Sequence, residues 1–172
     1  MKTFLVFAAL IFPLAAAVSQ PTLKSMINHT KCDNKQLYCS DLLYPKEYFC
    51  NQKFYYDTDN STCYSWNSCN PVLIEGTKEH VPENYLICLV PGGSVEVGFT
   101  TPNSNFDYTF RSDLKQMGFI PTGTESSKSG STESVYKSES YPNIEILIGS
   151  DTKRQEGVGT FTTHTYYLTR RN

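Results

Sequence analysis

The sequence predicts an all-β fold: a small disulfide-rich module followed by a cysteine-free, β-rich region. Three observations predict it. All six cysteines lie between Cys32 and Cys88, an even set of the kind that staples a segment too small to hold a core alone. The apolar stretches after Cys88 are short, alternating, and rich in β-branched and aromatic residues. Tyrosine and phenylalanine are abundant, 12 and 10 residues against a single tryptophan, which suits half-buried strands as well as contact surfaces.

The elements follow in chain order. Met1-Lys2, the apolar run Phe4–Leu14 and Ala15-Ala16-Ala17 have the positive start, short apolar centre and small-residue exit of a signal peptide, assigned to residues 1–19. Cleavage is expected after Ala17 or Ser19; the second exposes Gln20, which can cyclise. The run is too short for a bilayer, which takes about 20 apolar residues, and no later stretch is long or apolar enough. A secreted, extracellular protein without a membrane span is therefore expected, in the compartment where paired cysteines persist.

The disulfide-rich module is assigned to residues 20–90. Within it, Phe54-Tyr55-Tyr56, the polar turn Asp57–Thr62 and the aromatic return Tyr64-Ser65-Trp66 predict a hairpin. Two sequons, Asn28-His29-Thr30 and Asn60-Ser61-Thr62, mark Asn28 and Asn60 as glycosylation acceptors.

The cysteine-free region is assigned to residues 91–172. Strands are predicted at Ser94–Phe99, Phe106–Phe110, Ile144–Ile148 and Thr160–Leu168. Ser112 is positioned to cap one short helical turn that runs to Met117 and stops at Gly118. Residues 122–140, rich in Ser, Thr, Gly, Glu and Lys, carry too little apolar surface to offset their ordering entropy and are expected to form a mobile loop. The two halves share no visible sequence repeat.

Charge and motif content narrow the function classes. With 15 basic and 17 acidic residues the net charge is −2, and loss of Lys2 with the leader makes it more negative. A nucleic-acid partner, which needs a clustered basic face, is not expected. His29, His80 and His164 fall in no metal-ligand spacing, and no Gly-x-Ser-x-Gly elbow is present. Val90-Pro91-Gly92-Gly93 is a turn rather than a phosphate loop, because no Lys-Ser/Thr follows it. No metal, cofactor or catalytic residue is assigned, and a binding protein is expected rather than an enzyme. Lys153-Arg154 and Arg170-Arg171 read as solvated surface pairs.

The cysteine spacing carries a family resemblance. Cys32, Cys39, Cys50, Cys63 and Cys69 are separated by 6, 10, 12 and 5 residues. The fourth-to-fifth family interval holds the aromatic pair Tyr55-Tyr56, then Asp57 and a polar turn, while Tyr38 precedes Cys39 and Trp66 lies in the last interval. Residues 32–69 thus resemble the peritrophin-A type of chitin-binding domain of arthropod extracellular matrices, with the family's first cysteine absent. The resemblance implies recognition of chitin or other N-acetylglucosamine-containing glycans through Tyr55, Tyr56, Asp57 and Trp66. Six cysteines allow fifteen connectivities; the resemblance implies Cys32–Cys69 and Cys50–Cys63, with Cys39–Cys88 taking up the remaining pair.

A second resemblance is to Kunitz-type protease inhibitors. Phe54-Tyr55-Tyr56-Asp57 is similar to their central strand, Cys50, Cys63 and Cys69 stand as the second, third and fourth cysteines, and Trp66 stands as the buried aromatic. This reading implies Cys50–Cys69 and Cys63–Cys88. The loop after Cys50 is about three residues short of the family pattern and Asn67-Ser68 replaces its glycine pair. It implies a secreted protein directed at a protein target such as a protease, with the standard inhibitory loop lost. The expected partner is thus an extracellular glycan or an extracellular protein.

Overall fold

The computed structural model describes residues 20–31, 48–56, 61–74, 77–126, 132–155 and 159–171; side chains at 51–56, 124–126, 132 and 155 are outside the description. The fold is predominantly β, with disulfides in its N-terminal part. Helix α1 (Leu23–His29) precedes strands β1 (Phe49–Tyr56), β2 (Thr62–Ser68), β3 (Val72–Leu73), β4 (His80–Val81), β5 (Asn84–Leu89) and β6 (Val95–Thr101). Helix α2 (Ser104–Gln116) precedes β7 (Ile120–Ser126), β8 (Thr132–Lys137), β9 (Ile144–Gln155) and β10 (Gly159–Arg170). Eight strands form one antiparallel sheet in the order β1-β2-β5-β6-β10-β9-β8-β7, and β3 and β4 form a separate small ladder.

The order reads the same from both edges. Among the described residues, each half is a helix followed by a four-strand meander, and the last strands, β6 and β10, pair at the centre. The halves therefore share a topology that their sequences do not display. The boundary at residues 90 and 91 falls between β5 and β6, which are paired neighbours, so the cysteine-rich and cysteine-free regions contribute to a single sheet.

Alternation dictates the core. Tyr85 and Ile87 of β5, Val97 and Phe99 of β6, Tyr166 and Leu168 of β10, and Ile146 and Ile148 of β9 bury on one face. Leu23, Met26 and Ile27 of α1 and Phe106, Phe110 and Leu114 of α2 pack against them. Helix α1 starts because Thr22 and Ser25 form a reciprocal capping box, which satisfies donors that a helix end leaves open. Helix α2 starts at Asn103, whose Oδ1 accepts from the Asn105 N–H at 3.0 Å, and stops before Gly118 at φ +75°, a left-handed conformation that favours glycine.

Three sequence expectations are corrected here. Phe106–Phe110 is helix rather than strand: Phe106, Phe110 and Leu114 recur every four residues along the buried side of α2, a helical stripe that also fits alternation over its first five residues. The helix accordingly begins eight residues before Ser112. The stretch 122–140, expected as a mobile loop, carries most of β7 and all of β8, paired to each other and through β8 to β9; backbone pairing and half-buried Val135 and Tyr136 order it despite its composition. Residues 127–131 lie outside the described residues.

The pairing implied by the chitin-binding resemblance is the third correction. Cys50 is bonded to Cys69 and Cys63 to Cys88, and among the described residues no cysteine is free. The register explains why. Cys50 opposes Asn67 while Cys63 opposes Tyr55, so Cys50 and Cys63 sit at opposite ends of the β1–β2 ladder. Cys63 instead lies directly across from Cys88 on β5, with the Cα atoms 4.1 Å apart, within bridging reach. These are the two pairs that the Kunitz-like resemblance implies, here embedded in an eight-stranded sheet. Cys32 and Cys39, and the expected signal peptide at residues 1–19, lie outside the described residues.

Candidate functional site

Of the four ligand-binding residues expected from the sequence, Trp66 alone has a described side chain. Tyr55 and Tyr56 lie in β1, opposite Cys63 and Thr62; Asp57 lies outside the described residues, as does Asn60. Trp66 lies in β2 opposite Tyr85, on the helix side of the sheet. Its ring is 6.3 Å from the buried Tyr85 ring and stacks with Tyr64 at 6.2 Å. A row of aromatic residues, Trp66-Tyr85-Phe99-Tyr166, thus runs across four adjacent strands with Trp66 packed at its half-buried end. Asn28 is half-exposed on α1; its neighbour His29 and Thr30 are buried, and the Thr30 hydroxyl donates to the Ile27 carbonyl at 2.7 Å.

Two buried polar groups secure this side of the sheet. His29 Nδ1 lies 2.7 Å from the Tyr85 hydroxyl, and burial lowers its pKa to about 4, leaving the ring neutral at physiological pH. Glu83 is fully buried and accepts hydrogen bonds from the Gln20 amide, the Tyr48 hydroxyl and the Thr101 hydroxyl. Burial, then the hydrogen bond to Glu83, pushes the Tyr48 phenol above its ordinary range. At α2, the Tyr166 hydroxyl donates to Asp107 at 3.0 Å and Arg111 Nε donates to the same carboxylate at 2.7 Å. His29 and Glu83 are buried anchors of the fold, whereas the Asp107–Arg111 pair is partly exposed on α2.

The opposite face of the sheet offers chemistry to solvent. The register places Ser65, Leu86, Gly98, Tyr167, Leu147 and Val135 in one row across β2, β5, β6, β10, β9 and β8. The next row on that face is polar: Asn67, Asn84, Thr100, Thr165, Gly149 and Glu133. Asn84 Nδ2 donates to Ser65 Oγ at 2.8 Å and to Asn67 Oδ1 at 3.1 Å, and the hydroxyls of Thr100 and Thr165 lie 3.3 Å apart. These cross-strand bonds hold the polar row in place.

Tyr167 is an exposed aromatic of this face, 38% accessible. Its ring lies across Gly98: a Cβ at that position would come within 2.9 Å of Cε1 and 3.2 Å of Cδ1, closer than van der Waals contact. Glycine inside a strand marks such a close approach, and here it lets the ring settle on the backbone. Beside the ring is a depression of about 340 Å³ lined by Thr100, Thr165, Ser150, Glu133, Asp151 and Lys153 among others. An aromatic ring bordered by hydroxyls and carboxylates can stack on the apolar face of a flat ligand and hydrogen-bond its edge. Sequence reasoning did not select Tyr167; the available signal was Gly98 interrupting an otherwise β-branched and aromatic strand.

Among the described residues no group of three His, Cys, Asp or Glu is placed to hold a metal ion, and no helix is long and apolar enough to cross a membrane. Comparison with protein-family models, curated proteins and solved structures returns no match.

Proposed function

We propose that this is a secreted extracellular binding protein that recognises glycans containing N-acetylglucosamine, and that it does so through the open face of its sheet. The observation that carries the reading is the Tyr167 ring seated over Gly98 on the face opposite the helices, beside Thr, Asp and Glu side chains. Sugar rings present an apolar CH face and a polar rim, and this combination of aromatic platform and hydrogen-bonding border complements both. The two disulfides support an oxidising compartment, as does the leader-like N-terminus. The cysteine spacing supplies the sugar class, by resemblance. The test is retention of the folded protein on chitin beads against a cellulose control; absence of retention ends the glycan reading.

The pairs Cys50–Cys69 and Cys63–Cys88 favour a second reading, a protein-directed role with a Kunitz-like linkage. The residues after Cys50, where that resemblance puts the inhibitory loop, are strand β1 paired to β2. Titration of trypsin-like serine proteases tests it: stoichiometric inhibition supports a protease target, and unchanged activity removes that target.

A further inference from the structure

The depression beside Tyr167 has a charge pattern that the aromatic platform alone does not require. Two carboxylates, Glu133 and Asp151, line it with a single ammonium, Lys153, which leaves one negative charge uncompensated. All three side chains are exposed. Glu133 opposes Gly149, and Gly149 opposes Thr165, two residues before Tyr167. Asp151 opposes Thr163 on β10. The carboxylates therefore stand beside the ring along the strands, on the border where a stacked sugar turns its substituents.

We infer that this depression is a subsite for an amino-sugar ring bearing a free amine, so that the protein binds the deacetylated units of a glucosamine polymer. The inference rests on the glycan reading above and adds to it the site and the substituent. A protonated amine is a charge-complementary donor for Glu133 and Asp151, whereas an acetamido group brings no positive charge and a carboxylated or sulfated sugar is repelled. The ring itself stacks on Tyr167, and the hydroxyls of Thr100 and Thr165 meet the remaining hydroxyl groups. Gly98 is the positioning residue. It touches no ligand, but any side chain there displaces the platform.

The experiment is calorimetric titration at mildly acidic pH with soluble oligomers of glucosamine, N-acetylglucosamine and a uronic acid. The proteins are the wild type, Tyr167→Phe, Tyr167→Ala, Gly98→Ala, the double variant Glu133→Gln/Asp151→Asn, and a charge-matched control, Glu79→Gln/Glu139→Gln, each checked for folding by circular dichroism. Glucosamine oligomers should bind about five-fold or more tightly than acetylated ones, a ratio that one charge-assisted contact supplies. That preference should vanish in Glu133→Gln/Asp151→Asn and persist in the control. Tyr167→Ala and Gly98→Ala should weaken both glucosamine-based ligands several-fold, while Tyr167→Phe should not; if Gly98→Ala does not fold, the two Tyr167 variants carry the test. Binding of acetylated oligomers without preference, unchanged in Tyr167→Ala, overturns the subsite and leaves the glycan reading standing. Loss of preference in the control pair assigns the effect to net charge and also overturns it. Binding of none of the oligomers ends the glycan reading and the subsite with it.

Discussion

Replacing Glu83 by glutamine should destabilise the protein by about 2 kcal/mol, although the two side chains have the same shape. Glu83 is fully buried, and its two oxygens take three donors from distant parts of the chain: Gln20 ahead of α1, Tyr48 ahead of β1, and Thr101 at the end of β6. A hydrogen bond to a charged group contributes about 1.5–3 kcal/mol, and a buried donor left without an acceptor costs about 1–3 kcal/mol. Glutamine keeps one acceptor oxygen, which can serve Gln20 and Thr101. Its amide then points two hydrogens at Tyr48, whose hydroxyl must turn away and give up its own acceptor. Losing one charge-assisted bond and weakening two others yields the figure above, and Glu83→Ala, which strands all three donors, should cost more. Urea unfolding followed by circular dichroism measures it. At a slope of about 2 kcal/mol/M the midpoint should fall by about 1 M. A double-mutant cycle with Gln20→Ala should return a coupling of at least about 0.5 kcal/mol. A Glu83→Gln midpoint within about 0.2 M of wild type would refute the claim that this carboxylate ties the N-terminal segment to the sheet.

Two further outcomes follow from the same geometry. Replacing Cys63 and Cys88 together by alanine, which opens a loop of 25 residues, should cost about 3 kcal/mol by chain entropy, measured as the thermal midpoint under non-reducing conditions. The neutral, buried His29 should make stability pH-dependent. The unfolded ring takes its proton near 6.5 and the folded ring only near 4, so the unfolded state binds more protons in between. Its contribution is complete above the higher value and is lost as pH falls towards the lower, by up to about 3 kcal/mol. His29→Gln should flatten that part of the stability–pH curve, and an unchanged curve would place the dependence elsewhere.

Residue patterning made the long strands legible. Ile144, Ile146 and Ile148 alternate on β9, and the Thr- and Tyr-rich run of β10 carries the same period. Phe106-Asp107-Tyr108-Thr109-Phe110 was ambiguous because a spacing of four satisfies both two-residue and 3.6-residue periods; Leu114, four residues further on, decides for helix. The β7–β8 hairpin was hidden by its composition, since the polar Ser/Thr stretch is ordered mainly by backbone pairing to β9, with Val135 and Tyr136 half-buried. Cysteine spacing left two connectivities open, one from each resemblance, and only the sheet register decides between them. Cys63 meets Cys88 because β2 and β5 pair in one register, and that register depends on the whole sheet. The proposed face around Tyr167 went unselected for a related reason. Tyr55, Tyr56 and Trp66 stand out in sequence, but Trp66 falls on the face that the helices cover. Tyr167, its neighbour Tyr166 buried in the core, reaches the open face only because strand residues alternate. Gly98 was visible as an oddity within a strand, yet its meaning depends on β10 lying beside β6, a contact between residues nearly seventy positions apart.

Backbone amide shift mapping with a glucosamine oligomer tests the placement of the binding face most directly. Perturbations should gather on β6, β10 and β9 at Gly98, Thr100, Thr165, Tyr167, Gly149 and Asp151, and should leave Trp66, Tyr85 and Phe99 on the helix side unmoved. Perturbations confined to Tyr64, Trp66 and Tyr85, with none around Tyr167, would contradict the account.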